Sequence, residues 1–466
     1  MALAAAAMLW FALALTDPES RTPPDEGLLF GAWQVLYDTQ APSTQLLVAA
    51  VALALLLAAA VAAIESRISK RYRRSENAGE TPLAPKLVMA RTAGVFHGPV
   101  TVTVLIPAHN EEDRIAATLA SLEEQTSRPD RVVVVADNCT DATEDLARAA
   151  GVEVFATVGN THKKAGGLNQ ALASLLPGMG ENDTVMVMDA DTVIGREYIE
   201  TAKARMTGDR ALMAIGGLFM GEDGNGLIGQ FQRNEYIRYS RDIKRRRGRL
   251  FVLTGTASVF RSGALREVAA QRGRLIPGIA GDVYDTVSLT EDNELTLALK
   301  SLGALMTSPA QCTVVTEVMP TWGAIWHQRL RWQRGALENL GAYGITPQTS
   351  RYWVQQFGIG YGAVALLAYY VAIFTMAMSL DEWVWFPFWL GIGVVFMVER
   401  VISAWRGGWR ARLVALTLFP ELVYATFLNV VFLRGVFDIL TGKQAQWSHV
   451  TRTADGKVVV REGESA

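Results

Sequence analysis

The sequence contains little cysteine and little histidine. Only two cysteines, Cys139 and Cys312, and five histidines occur among 466 residues. Two cysteines allow at most one disulfide, and no Cys/His cluster has the spacing of a zinc site. The formal net charge of −2 gives no global attraction to nucleic acid. The sequence also lacks internal repeats and long low-complexity tracts. These absences leave no disulfide framework or zinc centre, and they fit a catalytic region kept in a reducing compartment.

Hydrophobic residues make up 50% of the chain, and long uncharged runs concentrate near its two ends. In the N-terminal region, residues 1–75, the runs at 1–16 and 44–64 predict two membrane helices. The first run lacks a basic start and a clear cleavage site, so we interpret it as a span rather than a removed signal. Five cations follow the second run between Arg67 and Arg74, which places the next segment in the cytoplasm.

A second hydrophobic region covers residues 350–440, and a polar tail of residues 441–466 follows it. The region contains three hydrophobic runs, at residues 352–380, 383–398 and 413–433. Pro420 and Glu421 interrupt the last run, which favours a kinked or re-entrant element over a simple span. We therefore expect a multi-pass protein of the cell membrane. The sequence leaves open whether the last run crosses fully and on which side the tail lies.

Residues 95–345, between these regions, have the pattern of a cytoplasmic α/β domain. Hydrophobic strands and helices alternate in the ranges 102–106, 112–125, 131–136, 141–150, 152–156, 165–176 and 185–188. Continuous Val and Ile runs are typical of strands buried on both faces, so we expect a parallel, Rossmann-like sheet covered by helices. Such sheets bind ligands beyond the carboxyl ends of their strands.

Polar residues follow three of the predicted strands. Asn110 and Glu111 come after the first, Asp137 after the second, and Asp189 and Asp191 after the fourth. Residues i and i+2 of an extended segment point the same way, so the last two acids could face one divalent ion. Mg²⁺ prefers oxygen ligands and commonly also holds substrate phosphates. The pattern predicts a metal–diphosphate site, with a solvated turn as the alternative.

Four later segments add to the pattern. Gly255 interrupts a strand predicted at residues 251–261, as at a bulge or where a ligand approaches closely. Thr290 is a candidate N-cap for the helix that follows it. The aromatic- and arginine-rich segment 322–334 predicts an amphipathic helix in the membrane interface. The basic segment 238–249 is better suited to anionic lipid headgroups, or to a solvated surface, than to nucleic acid, and we expect membrane lipids as a partner.

Six motifs, in their order along the chain, resemble those of the membrane-integrated family 2 glycosyltransferases, which include hyaluronan, cellulose, chitin and poly-N-acetylglucosamine synthases. They are Pro107–Glu112, Asp137, Lys164–Asn169, Asp189–Asp191, Thr290–Asp292 and Gln328–Trp332. The resemblance covers residues 100–345 and implies a GT-A-like catalytic domain between N- and C-terminal transmembrane helices. It also implies inverting transfer from a UDP-sugar to a growing β-linked polysaccharide, coupled to export, with Mg²⁺ or Mn²⁺ as cofactor.

The resemblance implies a role for each motif residue. Asp292 would be the catalytic base, and Asp189 and Asp191 would be the metal ligands. The donor-binding residues would be Pro107, Ala108, Glu111, Asp137, Lys164, Asp189 and Arg331, and the acceptor-binding residues would be Glu291, Gln328 and Trp332. The neighbouring Lys163 is an alternative to Lys164 for the donor contact.

Two alternative functions remain open at this point. A non-processive transferase would move one sugar onto a lipid or protein acceptor with the same donor chemistry, and the segment Gln328–Trp332 favours the polymer. A membrane transporter or scaffold would carry a degenerate nucleotide-binding domain, but it would not need three acids such as Asp189, Asp191 and Asp292. The donor sugar is open, with UDP-N-acetylglucosamine and UDP-glucose as the first candidates.

Overall fold

The structure is a computed structural model that describes part of the chain. The described residues are 27–29, 33–35, five positions between 52 and 63, 98–246, 248–378, 387–443, 448–452 and 458–462. The predicted span at residues 1–16 lies outside them. Of the predicted span at 44–64, the five described positions are helical and exposed. The chain divides into two compact units, residues 74–361 with 427–466, and residues 1–73 with 362–426.

The strands and helices alternate through the central region, as the sequence predicts. The strands are β1 Gly27–Leu29, β2 Trp33–Val35, β3 Thr101–Ala108, β4 Arg131–Ala136, β5 Glu153–Ala156, β6 Asp183–Met188, β7 Val193–Ile194, β8 Leu212–Gly216, β9 Leu218–Gly221, β10 Ala257–Arg261, β11 Leu305–Thr307, β12 Thr313–Thr316, β13 Ser448–Arg452 and β14 Val458–Glu462. The α-helices are α1 Ile115–Glu123, α2 Thr143–Ala149, α3 Lys163–Leu175, α4 Tyr198–Gly208, α5 Gly226–Arg245, α6 Ser262–Gln271, α7 Glu291–Ser301, α8 Trp322–Tyr343, α9 Ser350–Met378, α10 Pro387–Ser403, α11 Gly408–Thr417 and α12 Phe419–Leu440.

Seven strands form the central sheet in the order β11-β8-β10-β6-β3-β4-β5. Within this sheet β10 runs antiparallel to β6 and β8, and all other neighbours are parallel. The predicted parallel order is therefore confirmed for β6, β3, β4 and β5. The predicted strand across residues 251–261 is only partly right, because pairing begins at Ala257. A hydrophobic run indicates a buried strand but does not encode its direction.

Alternate residues of β3 enter two hydrophobic cores on opposite faces of the sheet. Leu105 packs in one core with Leu168 of α3, and Ile106 packs in the other with Ile115 of α1. Helices therefore cover both faces, which forces the polar groups of β3, β4 and β6 to the exposed carboxyl ends of these strands. The fold thus brings the predicted strand-end residues to one edge.

A second sheet of three strands, β7-β12-β9, begins directly after the Asp189–Asp191 segment. β12 pairs antiparallel with β7 and parallel with β9. This pairing brings the residues that follow β9 and β12 to the N-terminal end of α1. There Arg114 lies 3.4 Å from Glu222 and 3.5 Å from Glu317. The small sheet therefore adds two acids to the neighbourhood of the strand ends.

The hydrophobic run at 413–433 is not one helix. α11 ends at Thr417 and α12 begins at Phe419, with a left-handed φ of 53° at Leu418 between them. Ten helical residues in α11 span about 15 Å, roughly half the thickness of a bilayer's apolar core. Among the residues that the structure describes, α12 is the one helix long and apolar enough to cross a membrane. The run is thus interrupted at Leu418, just before the predicted Pro420–Glu421, which themselves lie in the first turn of α12. The further spans stay predictions.

Candidate active site

The carboxylate of Asp137 lies buried directly after β4. Its Oδ1 accepts hydrogen bonds from Asn160 Nδ2 at 2.8 Å, Thr157 Oγ1 at 2.8 Å and Asn138 Nδ2 at 3.2 Å. The Asn160 amide also donates to the backbone oxygen of Lys163 at 2.7 Å. The network therefore fixes Asp137 against the start of α3. Sequence reasoning selected Asp137 but missed Thr157 and Asn160, which no strand-end pattern marks.

Two glycines of α3 allow this close packing. A Cβ on Gly166 would lie 2.1 Å from Asn160 Oδ1, and one on Gly167 would lie 3.3 Å from Thr157 Cγ2. The first distance is far too short for two unbonded atoms. Gly166 is therefore needed so that the Asn160 side chain can reach Asp137.

The end of β3 supports the same network through its backbone. Asp137 N donates to Ala108 O at 2.8 Å, next to the partly buried Pro107. Further along, Glu111 N donates to Thr143 Oγ1 at 2.8 Å. The predicted donor residues Pro107, Ala108, Glu111 and Asp137 therefore share one strand edge.

Lys164, in the first turn of α3, joins two acidic motifs. Its Nζ donates to Asp189 Oδ1 at 2.6 Å and lies 2.9 Å from Glu291 Oε1. Burial alone would lower the pKa of Lys164, but the two carboxylates raise it well above its usual value. Lys163, the alternative, has a pKa lowered by burial and by Arg331. Lys164 is thus the lysine that contacts the acidic pair.

Asp189 and Asp191 lie in a turn after β6 rather than on an extended segment. Thr192 N donates to Asp189 O at 3.3 Å, and Asp189 N donates to Thr256 O at 3.0 Å. The predicted extended geometry is therefore wrong, because the strand ends at Met188. Both carboxylates still act on Glu111, whose pKa is raised to about 8 by burial and then by Asp191 and Asp189.

Negative charge is in excess around this turn. Burial and the neighbouring Glu317, which sequence reasoning missed, raise the pKa of Asp191. The described residues include no group of three or more His, Cys, Asp or Glu side chains that could hold a metal by themselves. Mg²⁺ commonly uses one or two protein carboxylates together with substrate phosphates. Asp189 and Asp191, in a cleft with excess negative charge, fit such an ion.

Asp292 occupies the first turn of α7. Its Oδ2 accepts a hydrogen bond from Gly255 N at 3.0 Å, and a Cβ on Gly255 would lie 3.2 Å from the same oxygen. The predicted close approach at Gly255 is thus to a carboxylate of the chain itself. Burial and then Glu291 raise the pKa of Asp292 to about 6. A cavity lined by Lys164, Thr254, Gly255, Tyr284, Glu291 and Asp292 opens here.

Helix α8 packs on the start of α7. Asn339 Nδ2 donates to Thr290 Oγ1 at 3.2 Å, and a Cβ on Gly335 would lie 2.6 Å from that oxygen. Thr290 holds the predicted N-cap position, but its side chain makes no capping hydrogen bond because its hydroxyl faces α8. The packing brings Arg331 near Glu291 and Asp292, where it favours both ionised carboxylates.

The other two predicted acceptor residues lie on α8. Arg329 Cζ lies 4.3 Å from the centroid of the Trp332 ring, and Arg329 pairs with Glu235 at 2.9 Å. The guanidinium covers one face of the indole, so a sugar could stack only on the other. Gln328 Oε1 is buried without a hydrogen-bond partner among the described residues. Trp332 and Gln328 thus lie on the same helix as Arg331. Trp332 packs against Arg329, whereas the Gln328 oxygen has no hydrogen-bond partner among the described residues.

Two residues after Asp292 on α7, Glu294 forms a buried ion pair with Arg272. Arg272 donates to both carboxylate oxygens of Glu294, at 2.5 and 2.7 Å, and both side chains are almost fully buried. Arg272 also donates to Val283 O at 2.6 Å, and Tyr343 OH donates to Glu294 at 2.5 Å. The pair therefore connects α6, α7, α8 and the loop before α7. Sequence reasoning missed it, because neither residue stands in a motif.

The central domain is similar to known proteins of one family. The description "Glycosyl transferase family 2" matches residues 103–269. A poly-beta-1,6-N-acetyl-D-glucosamine synthase of Staphylococcus aureus is 25% identical over 245 residues, covering 51% of this chain and 55% of that protein. A probable glycosyltransferase of Bacillus subtilis is 28% identical over 248 residues, covering 50% and 54%. The chain spans about half the length of these curated relatives.

A solved structure is similar in fold. A mannosyltransferase from Pyrobaculum calidifontis, in complex with GDP-Man and Mn²⁺, matches with a TM-score of 0.51 and 17% identity, over 76% of this chain and 93% of that chain. This similarity concerns the fold alone, and it confirms the expected GT-A-like α/β fold with a mostly parallel sheet. Residues 103–269, which hold the strand-end acids and Lys164, are a glycosyltransferase domain of family 2.

Proposed function

We propose that the protein transfers a sugar, with inversion, from a UDP-sugar to a growing β-linked polysaccharide at the inner face of the membrane. The observation that carries this proposal is the contact of Lys164 with both Asp189 and Glu291. It places the acids that follow the central sheet beside the acids that open α7. A sugar donor and an acceptor hydroxyl could therefore meet in one cleft.

The donor side uses groups at the strand ends. Asp137, which accepts hydrogen bonds from Asn160 and Thr157, would contact the nucleotide base. Asp189 and Asp191 would hold Mg²⁺ or Mn²⁺, which when bound offsets negative charge on the leaving diphosphate. The guanidinium of Arg331 and the ammonium of Lys164, both near Glu291, would bind phosphate oxygens.

The acceptor side uses Asp292 as the general base. Burial and Glu291 raise its pKa to about 6, so the carboxylate remains ionised at neutral pH yet binds a proton more readily than an exposed aspartate. Glu291 pairs with Lys164 and is therefore a weaker candidate for the base. Trp332 and Gln328 would contact the acceptor sugars, the indole through the face that Arg329 leaves open.

Three observations support a polymer as product and a membrane as location. The Staphylococcus aureus relative is named as a synthase of a β-1,6-linked N-acetylglucosamine polymer. α12 is long and apolar enough to cross a membrane. The start of α9 exposes Val354, Phe357 and Tyr361, each by 70% or more, as a helix in contact with lipid would. We therefore propose a multi-pass protein with UDP-N-acetylglucosamine as the first donor to test.

The test is an assay of the purified, detergent-solubilised protein with a panel of UDP-sugars and GDP-mannose. We expect UDP release and a long product from a single donor, and no transfer by Asp292→Asn. Single-sugar lipid adducts without polymer would support the non-processive transferase instead. No release from any donor would refute the proposed reaction.

The membrane orientation is tested separately by cysteine labelling. A cysteine placed at Ser69, among the cations that follow the second predicted span, should resist an impermeant reagent added outside. One placed at Ser20 should react. The opposite pattern would put the donor site on the wrong side of the membrane.

A further inference from the structure

The loop before β10 is hydrogen-bonded along one face of α7. Gly255 N donates to Asp292 Oδ2 at 3.0 Å, and Leu253 N donates to Thr296 Oγ1 at 2.9 Å. At the far end, Lys300 Nζ donates to Phe251 O at 2.8 Å and to Leu250 O at 3.1 Å. The contacts thus involve every fourth residue of α7 (Asp292, Thr296 and Lys300) and every second residue of the loop (Gly255, Leu253 and Phe251).

This register has a geometric basis. Four helical residues rise about 6.0 Å, and two extended residues rise about 6.6 Å. Contacts two residues apart along a chain can therefore meet side chains at i, i+4 and i+8 of a helix. Residues 251–255 keep these contacts although the backbone bends at Phe251, Val252 and Gly255. Residues 251–255, the first part of the strand predicted at 251–261, instead contact Asp292, Thr296 and Lys300.

Thr296 is the middle contact and links both ends of the arrangement. Its hydroxyl accepts from Leu253 N and also donates to the backbone oxygen of Asp292 at 2.7 Å. The side chain is fully buried. Because one hydroxyl bonds both the loop and the residue that carries the carboxylate, a change at Thr296 shifts Gly255 relative to Asp292.

Lys300 anchors the far end. Besides the two loop oxygens, its ammonium contacts the hydroxyl of Tyr352 in the first turn of α9, and that hydroxyl donates to Phe251 O. Arg351 Cζ lies 3.8 Å from the centroid of the Phe251 ring, on the same junction. The partly buried Lys300 side chain therefore ties the loop to both α7 and α9.

We propose that Thr296 and Lys300 are positioning residues for the proposed base Asp292, acting by holding the segment 250–255 so that the Gly255 amide stays on its carboxylate. The proposal rests on the proposed function, since it assigns a role in the same reaction. Neither side chain contacts the donor cleft directly. Their effect is on the step that needs the base and not on donor binding.

The test compares four variants of the full-length protein in the donor assay. Thr296→Val removes the hydroxyl with little change in volume, Thr296→Ser restores it, and Lys300→Met removes the ammonium. The matched control is Thr184→Val, because Thr184 is equally buried and donates to Thr101 O at 2.6 Å, at the end of β6 remote from Asp189.

We expect Thr296→Val to lower kcat about 10- to 100-fold while the donor KM and UDP binding stay unchanged. Lys300→Met should have a smaller effect, and Thr296→Ser and Thr184→Val should keep wild-type kcat. The acid limb of the pH–rate profile should move upward in Thr296→Val, because the Gly255 amide favours the ionised carboxylate. Hydrogen exchange at residues 251–255 should become faster in this variant.

Two results would overturn the inference. In the first, Asp292→Asn is inactive but Thr296→Val has the same kcat and pH profile as the control Thr184→Val. This result would support the proposed function and contradict the positioning role of Thr296. The other is a wild-type protein that uses no donor, or an Asp292→Asn variant with normal transfer, which would remove the proposed function and the inference with it.

Discussion

The two sides of the cleft are built in different ways. The donor half, formed by β4, β6 and α3, holds Asp137 through Thr157 and Asn160, 20 and 23 positions away, and holds Lys164 through Asp189, 25 positions away, and through Glu291 at the start of α7. The base half, formed by α7 and α8, depends on the contact of Asp292 with Gly255, 37 positions away, on the contact of Thr290 with Asn339, 49 positions away, and on the buried ion pair Arg272–Glu294. Strand ends position the first set, whereas side-chain hydrogen bonds between helices and loops position the second. The base half should therefore be the more sensitive to single substitutions.

The largest expected effect separates chemistry from donor binding. Asp292→Asn should lower transfer about 10²–10⁴-fold, because an amide cannot accept the acceptor proton. UDP binding, a property of the donor half, should persist, and calorimetry on the same preparation measures it. Near-normal transfer by this variant would move the base elsewhere, with Glu291 as the next candidate.

The second effect tests the donor half. Asp191→Asn should lower turnover about 10²-fold or more, since a metal supplies several kcal/mol of charge stabilisation at the leaving phosphates. The matched control is Asp223→Asn, an exposed aspartate outside every motif. Activity should also be lost in excess EDTA and return with Mg²⁺ or Mn²⁺. Undiminished turnover in EDTA would contradict the proposed metal site.

The third effect concerns stability. Arg272→Met should destabilise the folded state by about 3–5 kcal/mol, because it leaves the carboxylate of Glu294 buried without its partner. The double variant Arg272→Met/Glu294→Leu should recover much of this loss, since it removes both charges. Thermal unfolding of the three proteins measures the difference. A single variant as stable as wild type would show that the pair does not hold the base half together.

The smallest effect is a shift in pH dependence. Because the pKa of Asp292 is raised to about 6, the base is ionised above that pH and transfer should fall as the pH drops through about 6. Glu291→Gln removes a neighbouring negative charge that contributes to the increase, so the acid limb should move to lower pH by about one unit. Glu123→Gln, at an exposed position on α1, should leave the limb in place.

The same difference between the halves explains how far sequence reasoning reached. The hydrophobic runs predicted β3 to β6 and α1 to α3 closely, and a polar residue after each strand located Asp137 and Asp189. The turn at Asp189–Asp191 and the direction of β10 were not predicted, because hydrophobicity carries no information about either. Asn160, Glu317 and Arg272 stand outside the motifs, and only tertiary contacts bring them to the site.

The register between α7 and the segment 250–255 also has a consequence for protein synthesis. The partners that fix Asp292 extend from Gly255 to Tyr352, and the last contact joins residues 101 positions apart. Asp137, Lys164 and Asp189 of the donor half are synthesised before these partners, and contacts close in sequence form first. We therefore expect a chain arrested near residue 280 to protect the donor half from protease. The carboxylate of Asp292 would become fixed only after the first turn of the hydrophobic helix α9 has been made.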